Sequence, residues 1–331
     1  EDFVRQLYAQ WLEREPDAQG VKHHVDLLNR GVDRWQLTVQ LLQGHEAKAK
    51  FWSMMPPDSI ELACDWVDRQ VAHGGSADDW LEFRNREPAC CRRMPLGPET
   101  RGRWKFDKYA QLAPPEQYLL KLPKGRACGV TGAVLTPDNR LLLDLSLEYT
   151  GLPAERHSLM LRPALPPVRS TGETVALVAS GGAYNYYYWM IDVVSRFRLL
   201  RKYADVIDRY VVNPLLKPYQ RETLDMLGIP AAKIVELTPE THLEADRLLV
   251  PSLGTFTGAP PRKALRFVRS TLLRCLESRG ARTDYPKRVY VSRAGATHRR
   301  VLNEAEVASL LDRYGFVAVD LEEWSVSDQI G

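Results

Sequence analysis

The chain has 331 residues, enough for two or three domains with a sizeable core in each. Its 44% hydrophobic and 26% charged content is ordinary for a globular fold, and a formal net charge of +3 gives no reason to expect nucleic acid as a partner. No apolar run approaches the ~20 residues that span a bilayer, and the five cysteines (Cys64, Cys90, Cys91, Cys128, Cys275) show no metal-ligand spacing and read as reduced thiols.

Residues 1–52 read as a helical module. Phe3, Val4, Leu7, Tyr8, Trp11 and Leu12 recur at helical spacing. Pro16 to Gly20 breaks that helix, Gly31 closes a second, and Asp33 is placed to cap a third. His23 and His24 are neighbours without a third ligand, so no metal site is expected there. Residues 53–125 form a connector, with a helix over Ile60–Val71, a weaker one over Asp78–Arg86, and an irregular linker marked by Pro95, Pro98, Pro114, Pro115 and Pro123.

From residue 126 the pattern becomes α/β. Val130–Leu135, a Pro137-Asp138-Asn139 turn and Leu141–Leu145 predict a β-hairpin. Strands over Val175–Val178, Tyr210–Val212, Ile234–Leu237 and Leu248–Val250 then alternate with helices over Tyr186–Lys202, Tyr219–Leu227 and Lys263–Leu276. Such alternation predicts a doubly wound parallel sheet. After residue 261 a strand at Arg288–Val291, a helix at Asn303–Tyr314 and a strand at Phe316–Val319 open a further unit.

Two stretches carry the chemistry. The first is Tyr184-Asn185-Tyr186-Tyr187-Tyr188-Trp189-Met190-Ile191-Asp192-Val193-Val194-Ser195-Arg196, which comes after a strand and the Gly181-Gly182 break. At ~100° per residue, Asn185, Tyr188, Asp192, Ser195 and Arg196 share one helix face, while Trp189, Val193, Tyr186, Phe197, Met190 and Leu200 share the other. A polar face at the carboxyl end of a strand lies where open α/β sheets bind ligands. The plain alternative is that Asp192 only pairs with Arg196 at i+4.

The second stretch runs from Arg288 to Glu304. A strand delivers Ser292 and Arg293 into a loop containing Arg299 and Arg300, ahead of a helix start. Arginine suits bidentate contact with phosphate oxygens, and a helix N-terminus adds free N–H groups. Asn303 and Glu306 have the spacing of a capping box, and Glu304 suits the first turn. The P-loop, GxGxxG and GxSxG signatures are absent, as is a DxD pair suited to a metal-bound diphosphate; Asp78-Asp79 lies in another region. These absences favour metal-independent chemistry.

Together the two stretches resemble glycosyltransferase family sixty-one. Its first motif looks like NYxHWxxDxxPR, here Asn185-Tyr186-Tyr187-Tyr188-Trp189 through Asp192 to Arg196. Its second is Ser292-Arg293, Arg299 and Asn303-Glu304. The resemblance spans residue 129 to the end. The N-terminal module, through Phe3–Tyr8, Arg14–Asp17 and Gly20, resembles a bacterial helical module related to phycobilisome linker domains.

The resemblance implies an inverting, metal-independent transferase on a GT-B-like scaffold, with no cofactor beyond a nucleotide-sugar co-substrate. Residues 126–260 would form the acceptor-side domain and residues 261–331 the opening of the nucleotide-sugar domain, since the family pattern continues past Gly331. Asp192 would be the base, because the family's histidine is Tyr188 here and a phenol of pKa near 10 is a poor base at neutral pH. Asn185, Tyr188, Trp189 and Arg196 would serve the acceptor, a glycan or lipid-linked glycan of a bacterial capsule or surface polysaccharide. Ser292, Arg293, Arg299, Asn303 and Glu304 would serve the donor diphosphate. The expected location is cytoplasmic, with contact to the inner membrane face or a polysaccharide assembly. The basic helix over Lys263–Arg274 suits an anionic membrane, and also an ordinary core-facing helix. The rival reading is a non-catalytic scaffold that binds glycan or a partner.

Overall fold

The computed structural model describes residues 1–12, 14–44, 46, 54–85, 90–91, 111–112, 115–148, 153–253, 260–279 and 285–330. The linker prolines Pro95, Pro98 and Pro114 lie outside the described residues. Helices α1 (Asp2–Leu12), α2 (Ala18–Asn29) and α3 (Arg34–Gln43) enclose a small core of Val4, Leu7, Tyr8, Leu12, Leu37 and Leu41. Asp17 accepts from Gly20 N at 2.7 Å and Asp33 from Gln36 N at 2.9 Å, so both helix starts are capped by carboxylates. Gly31 ends α2 at φ 94°, a conformation glycine adopts without strain.

The larger part is a ten-stranded mixed sheet. Its strands are β1 (Ser59–Glu61), β2 (Leu81–Asn85), β3 (Gln117–Pro123), β4 (Arg126–Cys128), β5 (Ala133–Leu135), β6 (Arg140–Leu142), β7 (Arg169–Leu177), β8 (Arg209–Val212), β9 (Ile234–Glu236) and β10 (His242–Pro251). The order is β1-β6-β5-β4-β10-β7-β8-β9, with β3 pairing β10 and β2. Strands β10, β7, β8 and β9 run parallel, with Val175 opposite both Leu248 and Arg209. Strands β3 and β4 pair antiparallel with β10, and β5 with β4 and β6.

The expectation of a doubly wound parallel sheet is therefore corrected: this wing and the β1–β6 pair at the far edge are parallel, and the strands between them pair antiparallel. The short turns joining β4 to β5 and β5 to β6, the second with Asn139 at φ 59°, make those neighbours antiparallel.

Alternation along the strands divides the core. Ala176, Val178, Tyr210, Val212 and Leu249 face a layer made by the segment 186–203, α5 (Pro218–Met226) and α6 (Arg262–Arg279). Val175, Leu177, Val211, Leu248 and Val250 face α4 (Ala63–Ala72) through Ala63, Trp66 and Val67. A separate pair, β11 (Val289–Val291) and β12 (Val317–Val319), is parallel and joined through α7 (Glu304–Asp312). Helix α8 (Val326–Ile330) comes next, and its first amides, Val326 N and Ser327 N, donate to Glu222 of α5 at 2.8 and 2.9 Å.

The segment after β7 differs from a plain helix. It is α-helical at Tyr186–Tyr188, π-helical at Trp189–Val193, 3-10 at Val194–Arg196 and α-helical again at Phe197–Leu200. A π turn holds an extra residue, so the 100° face assignment drifts within the motif. Ser195 Oγ donates to the Ile191 carbonyl inside this irregular turn and takes up an acceptor there.

Candidate active site

The chain runs outward through β7, β8 and β9, then returns to lay β10 on the opposite side of β7. Strand order reverses between β7 and β10, and the crevice at their carboxyl ends is the usual ligand position in open α/β sheets. Arg196 fills the base of that crevice. Only 2% exposed, it donates from Nη1 to Ala179 O at 2.6 Å and from Nε to Pro251 O at 2.9 Å. The guanidinium thus ties the carboxyl end of β7 to that of β10, satisfying a carbonyl just past β7 and the last one of β10. Asn213, just past β8, completes the rim: its Oδ1 accepts from Ser180 N at 2.9 Å and its Nδ2 donates to Val130 O at 2.9 Å.

Above this rim lies a tyrosine surface. Asn185 caps the segment by accepting from Tyr187 N at 3.0 Å. Tyr184, Tyr186 and Tyr187 are exposed and Tyr188 is half-buried. Tyr186 meets Tyr219 edge to face at 4.9 Å, and Tyr219 OH donates to Tyr184 O at 3.1 Å. Tyr187 and Tyr188 are also edge to face, at 5.4 Å. A Cβ at residue 182 would sit 3.0 Å from Tyr188 Cγ, so Gly182 is what lets the Tyr188 ring lie over the turn. Phenol rings with apolar faces and polar rims suit sugar rings, which are themselves apolar on one face and hydroxylated at the edge.

The other residues of the first motif point inward. Trp189 is fully buried, and its Nε1 donates to Thr223 Oγ1 at 2.7 Å, anchoring the π turn to α5. Asp192 is 2% exposed, so its carboxylate is buried. Of the five residues assigned to one polar face, the structure leaves Asn185 and Tyr188 at the surface and places Asp192, Ser195 and Arg196 beneath it. Sequence periodicity put Tyr186 on the apolar side and gave no role to Tyr184, Tyr187 or Tyr219; the signal was the tyrosine run itself, with Tyr219 at the start of the next helix.

The second motif forms a compact loop around Glu304. One carboxylate oxygen, Oε1, accepts from Ser292 Oγ at 2.8 Å, Arg293 N at 2.8 Å and Tyr290 OH at 3.2 Å. These donors, the Arg293 amide foremost in lowering it, hold the Glu304 carboxyl below its ordinary pKa. Arg293 turns back on its own loop, donating from Nε to Arg299 O and from Nη2 to His298 O, both at 2.9 Å. This braces Arg299 at φ 56°, the left-handed region, and leaves its side chain exposed beside exposed Arg300.

Asn303 precedes α7, but its side chain does not accept an N-terminal amide; its Nδ2 donates to Glu306 at 3.3 Å. The expected capping box is therefore replaced by a side-chain pair. Glu304 is neither a simple dipole partner nor a free acid, because the strand-to-helix loop is organised on it. Among the described residues, no cluster of three His, Cys, Asp or Glu is placed to hold a metal ion.

Residues 186–331 match the family Glycosyltransferase 61. The match opens on Tyr186, one residue into the first motif, and takes in the rest of that motif and the whole of the second. It supports glycosyltransferase activity, and with it a nucleotide-sugar donor and a glycan acceptor. Residues 1–51, holding α1 to α3, match a domain of unknown function, DUF4214. No curated protein matches the chain. Among the described residues, no helix is long and apolar enough to cross a membrane.

Proposed function

We propose that the protein moves a sugar from a nucleotide sugar to a glycan acceptor with inversion, on a two-lobed GT-B-type scaffold and without a bound metal, in the synthesis of a surface polysaccharide. The observation that carries this reading is the Glycosyltransferase 61 match lying over a tyrosine surface at the point of strand reversal. In this reading the acceptor rests on Tyr186, Tyr187 and Tyr188, with Asn185 at the edge. Its hydroxyl attacks the anomeric carbon, the nucleoside diphosphate leaves, and Asp192 takes the hydroxyl proton. Asp192 is 2% exposed, so the acceptor must reach it by displacing a side chain, and Tyr188, half-buried and one turn earlier, is placed to move.

On the donor side, Arg299 and Arg300 offset charge developing on the diphosphate, while Arg293 and Glu304 hold their loop in shape. The unit β11–α7–β12 would belong to the nucleotide lobe.

Incubation with a panel of nucleotide sugars and glycan acceptors, with and without a chelator, tests the reading. Product of inverted anomeric configuration, formed equally with chelator, is expected; no turnover of any nucleotide sugar would count against it. A scaffold role has its own support in the burial of Asp192 and the inward turn of Arg293. Calorimetry separates the two, because a scaffold binds glycan without binding nucleotide.

A further inference from the structure

Helix α6 has two different faces. Ala264, Phe267, Leu272 and Leu276 are buried against the segment 186–203 and α5. The opposite face carries Arg262, Lys263, Arg266, Arg269 and Arg274, all exposed, with Glu277 the one acid in the helix and Arg279 paired to Asp225 at 2.7 Å. Arg266 and Arg269 make no ion pair among the described residues. A helix that only needed a solvated outer face would mix signs for solubility.

Beside this face a groove of about 220 Å³ opens between α6 and residues 197–204. Leu200, Leu227, Ile229 and Phe267 line it, and Arg201 and Arg274 stand at its edges. Arg201 lies over the Phe267 ring at 6.0 Å. Thr271 Oγ1 lines the same groove, buried and without a hydrogen-bond partner among the described residues. Arg274 belongs both to the basic face and to the groove, so the two are continuous.

We propose that this surface docks on an anionic lipid bilayer. Headgroup phosphates meet Arg201, Arg266, Arg269 and Arg274, and an acyl chain enters the groove. Charge selects an anionic partner. The apolar groove selects a lipid over a soluble polyanion, which has no apolar part to place against Phe267 and Ile229. The proposal does not depend on sugar transfer, because vesicle binding is measured with no donor or acceptor present.

The test is co-sedimentation of the full chain with phosphatidylcholine vesicles, with and without phosphatidylglycerol. Binding only to the phosphatidylglycerol vesicles, released by raised salt, is expected. The double variant Arg266→Gln/Arg269→Gln should lose about twenty-five-fold in partitioning, roughly fivefold for each basic residue removed. Ala204→Trp fills the exposed mouth of the groove without altering charge and should weaken partitioning severalfold. Thermal unfolding of both variants identifies any folding defect, and the surface double variant decides the matter if Ala204→Trp fails to fold. Equal binding to neutral vesicles, no binding to either, or unchanged partitioning of the double variant overturns the proposal. So does displacement by soluble dextran sulfate with no effect of Ala204→Trp, which would mark a polyanion site instead.

Discussion

Arg196 donates through Nε to the Pro251 carbonyl at 2.9 Å, across the point where the strand order of the sheet reverses. A second donation, to Ala179 O, makes the guanidinium a strap between the ends of β7 and β10. Arg196→Met would keep most of the apolar stem and leave two carbonyls without this donor. A buried acceptor left without its partner typically costs about 1–3 kcal/mol. The urea midpoint should fall accordingly with little change in slope. Arg196→Lys should recover only part, because an ammonium cannot reproduce the planar fork. A Met variant within about 0.5 kcal/mol of the parent would show that the strap adds no stability.

Trp189 and Tyr188 are adjacent in sequence and should behave differently. Trp189→Phe removes the Nε1 donor to Thr223 Oγ1 and part of a fully buried ring. A loss of about 1–2 kcal/mol is expected, with acceptor KM unchanged. Tyr188→Ala removes a half-buried ring from the proposed acceptor surface. It should raise acceptor KM about tenfold or more while shifting the unfolding midpoint less than Trp189→Phe does. The reverse ranking would place the acceptor elsewhere.

His242 gives the fold a pH dependence. Its Nδ1 lies 2.8 Å from Pro166 O and its Nε2 3.3 Å from the buried Arg126 guanidinium, so Nδ1 carries the proton and Nε2 accepts. Burial lowers its pKa below the ordinary 6.5, and the nearby Arg126 acts in the same direction. The unfolded chain therefore binds the proton more readily. This contribution is complete above the unfolded value and is lost as pH falls through it toward the folded one. Unfolding midpoints should drop between about pH 7.5 and pH 5.5, and His242→Gln should flatten that slope.

Much of the parallel wing was legible because its chemistry is local. Val175–Val178 and Tyr210–Val212 are apolar runs bounded by turn residues; the second falls wholly in a strand and the first all but its last residue, Val178. The hairpin around Asn139 was legible for the same reason. The step from spacing to face is where legibility ended. The motif helix was placed on a 3.6-residue wheel, but the π turn at Trp189–Val193 rotates the residues after it, and Asp192 and Arg196 end beneath the surface. No single-residue propensity announces a π turn. Nor could spacing show that Glu304 gathers Tyr290, Ser292 and the Arg293 amide, since that depends on β11 and α7 meeting in space.

Glu304 supplies a further prediction. Its lowered pKa means that the carboxylate's hold on the loop is present above the ordinary carboxyl value of 4.5 and is lost as pH falls through the folded value. Glu304→Gln keeps the shape but weakens three charge-assisted bonds into one oxygen. Amide exchange at residues 292–299 should quicken in this variant with global stability nearly unchanged. Nucleotide affinity should fall several-fold, because the bracing of Arg299 is loosened. Unchanged exchange in the loop would show that Glu304 does not organise it.

Asp192→Asn decides whether a buried carboxylate does chemistry or only packs. The two residues are nearly the same size, so the substitution tests charge and proton affinity more than volume. If Asp192 takes the acceptor proton, kcat should fall by about a hundredfold or more, the usual scale for a lost general base. Tm should stay near that of the parent, and the acid limb of the kcat/KM–pH profile should disappear, since the titrating group is gone. If Asp192 only supports the wall from beneath, the rate falls no further than the lost stability accounts for, and the acid limb keeps its position. Tyr188→Gly in the parent, with Asp192 intact, sharpens the choice. Clearing the ring one turn above Asp192 should ease access to the carboxylate and raise kcat while acceptor KM worsens. A kcat that falls together with acceptor affinity in that variant would instead mark Tyr188 as part of the surface the acceptor needs in order to react.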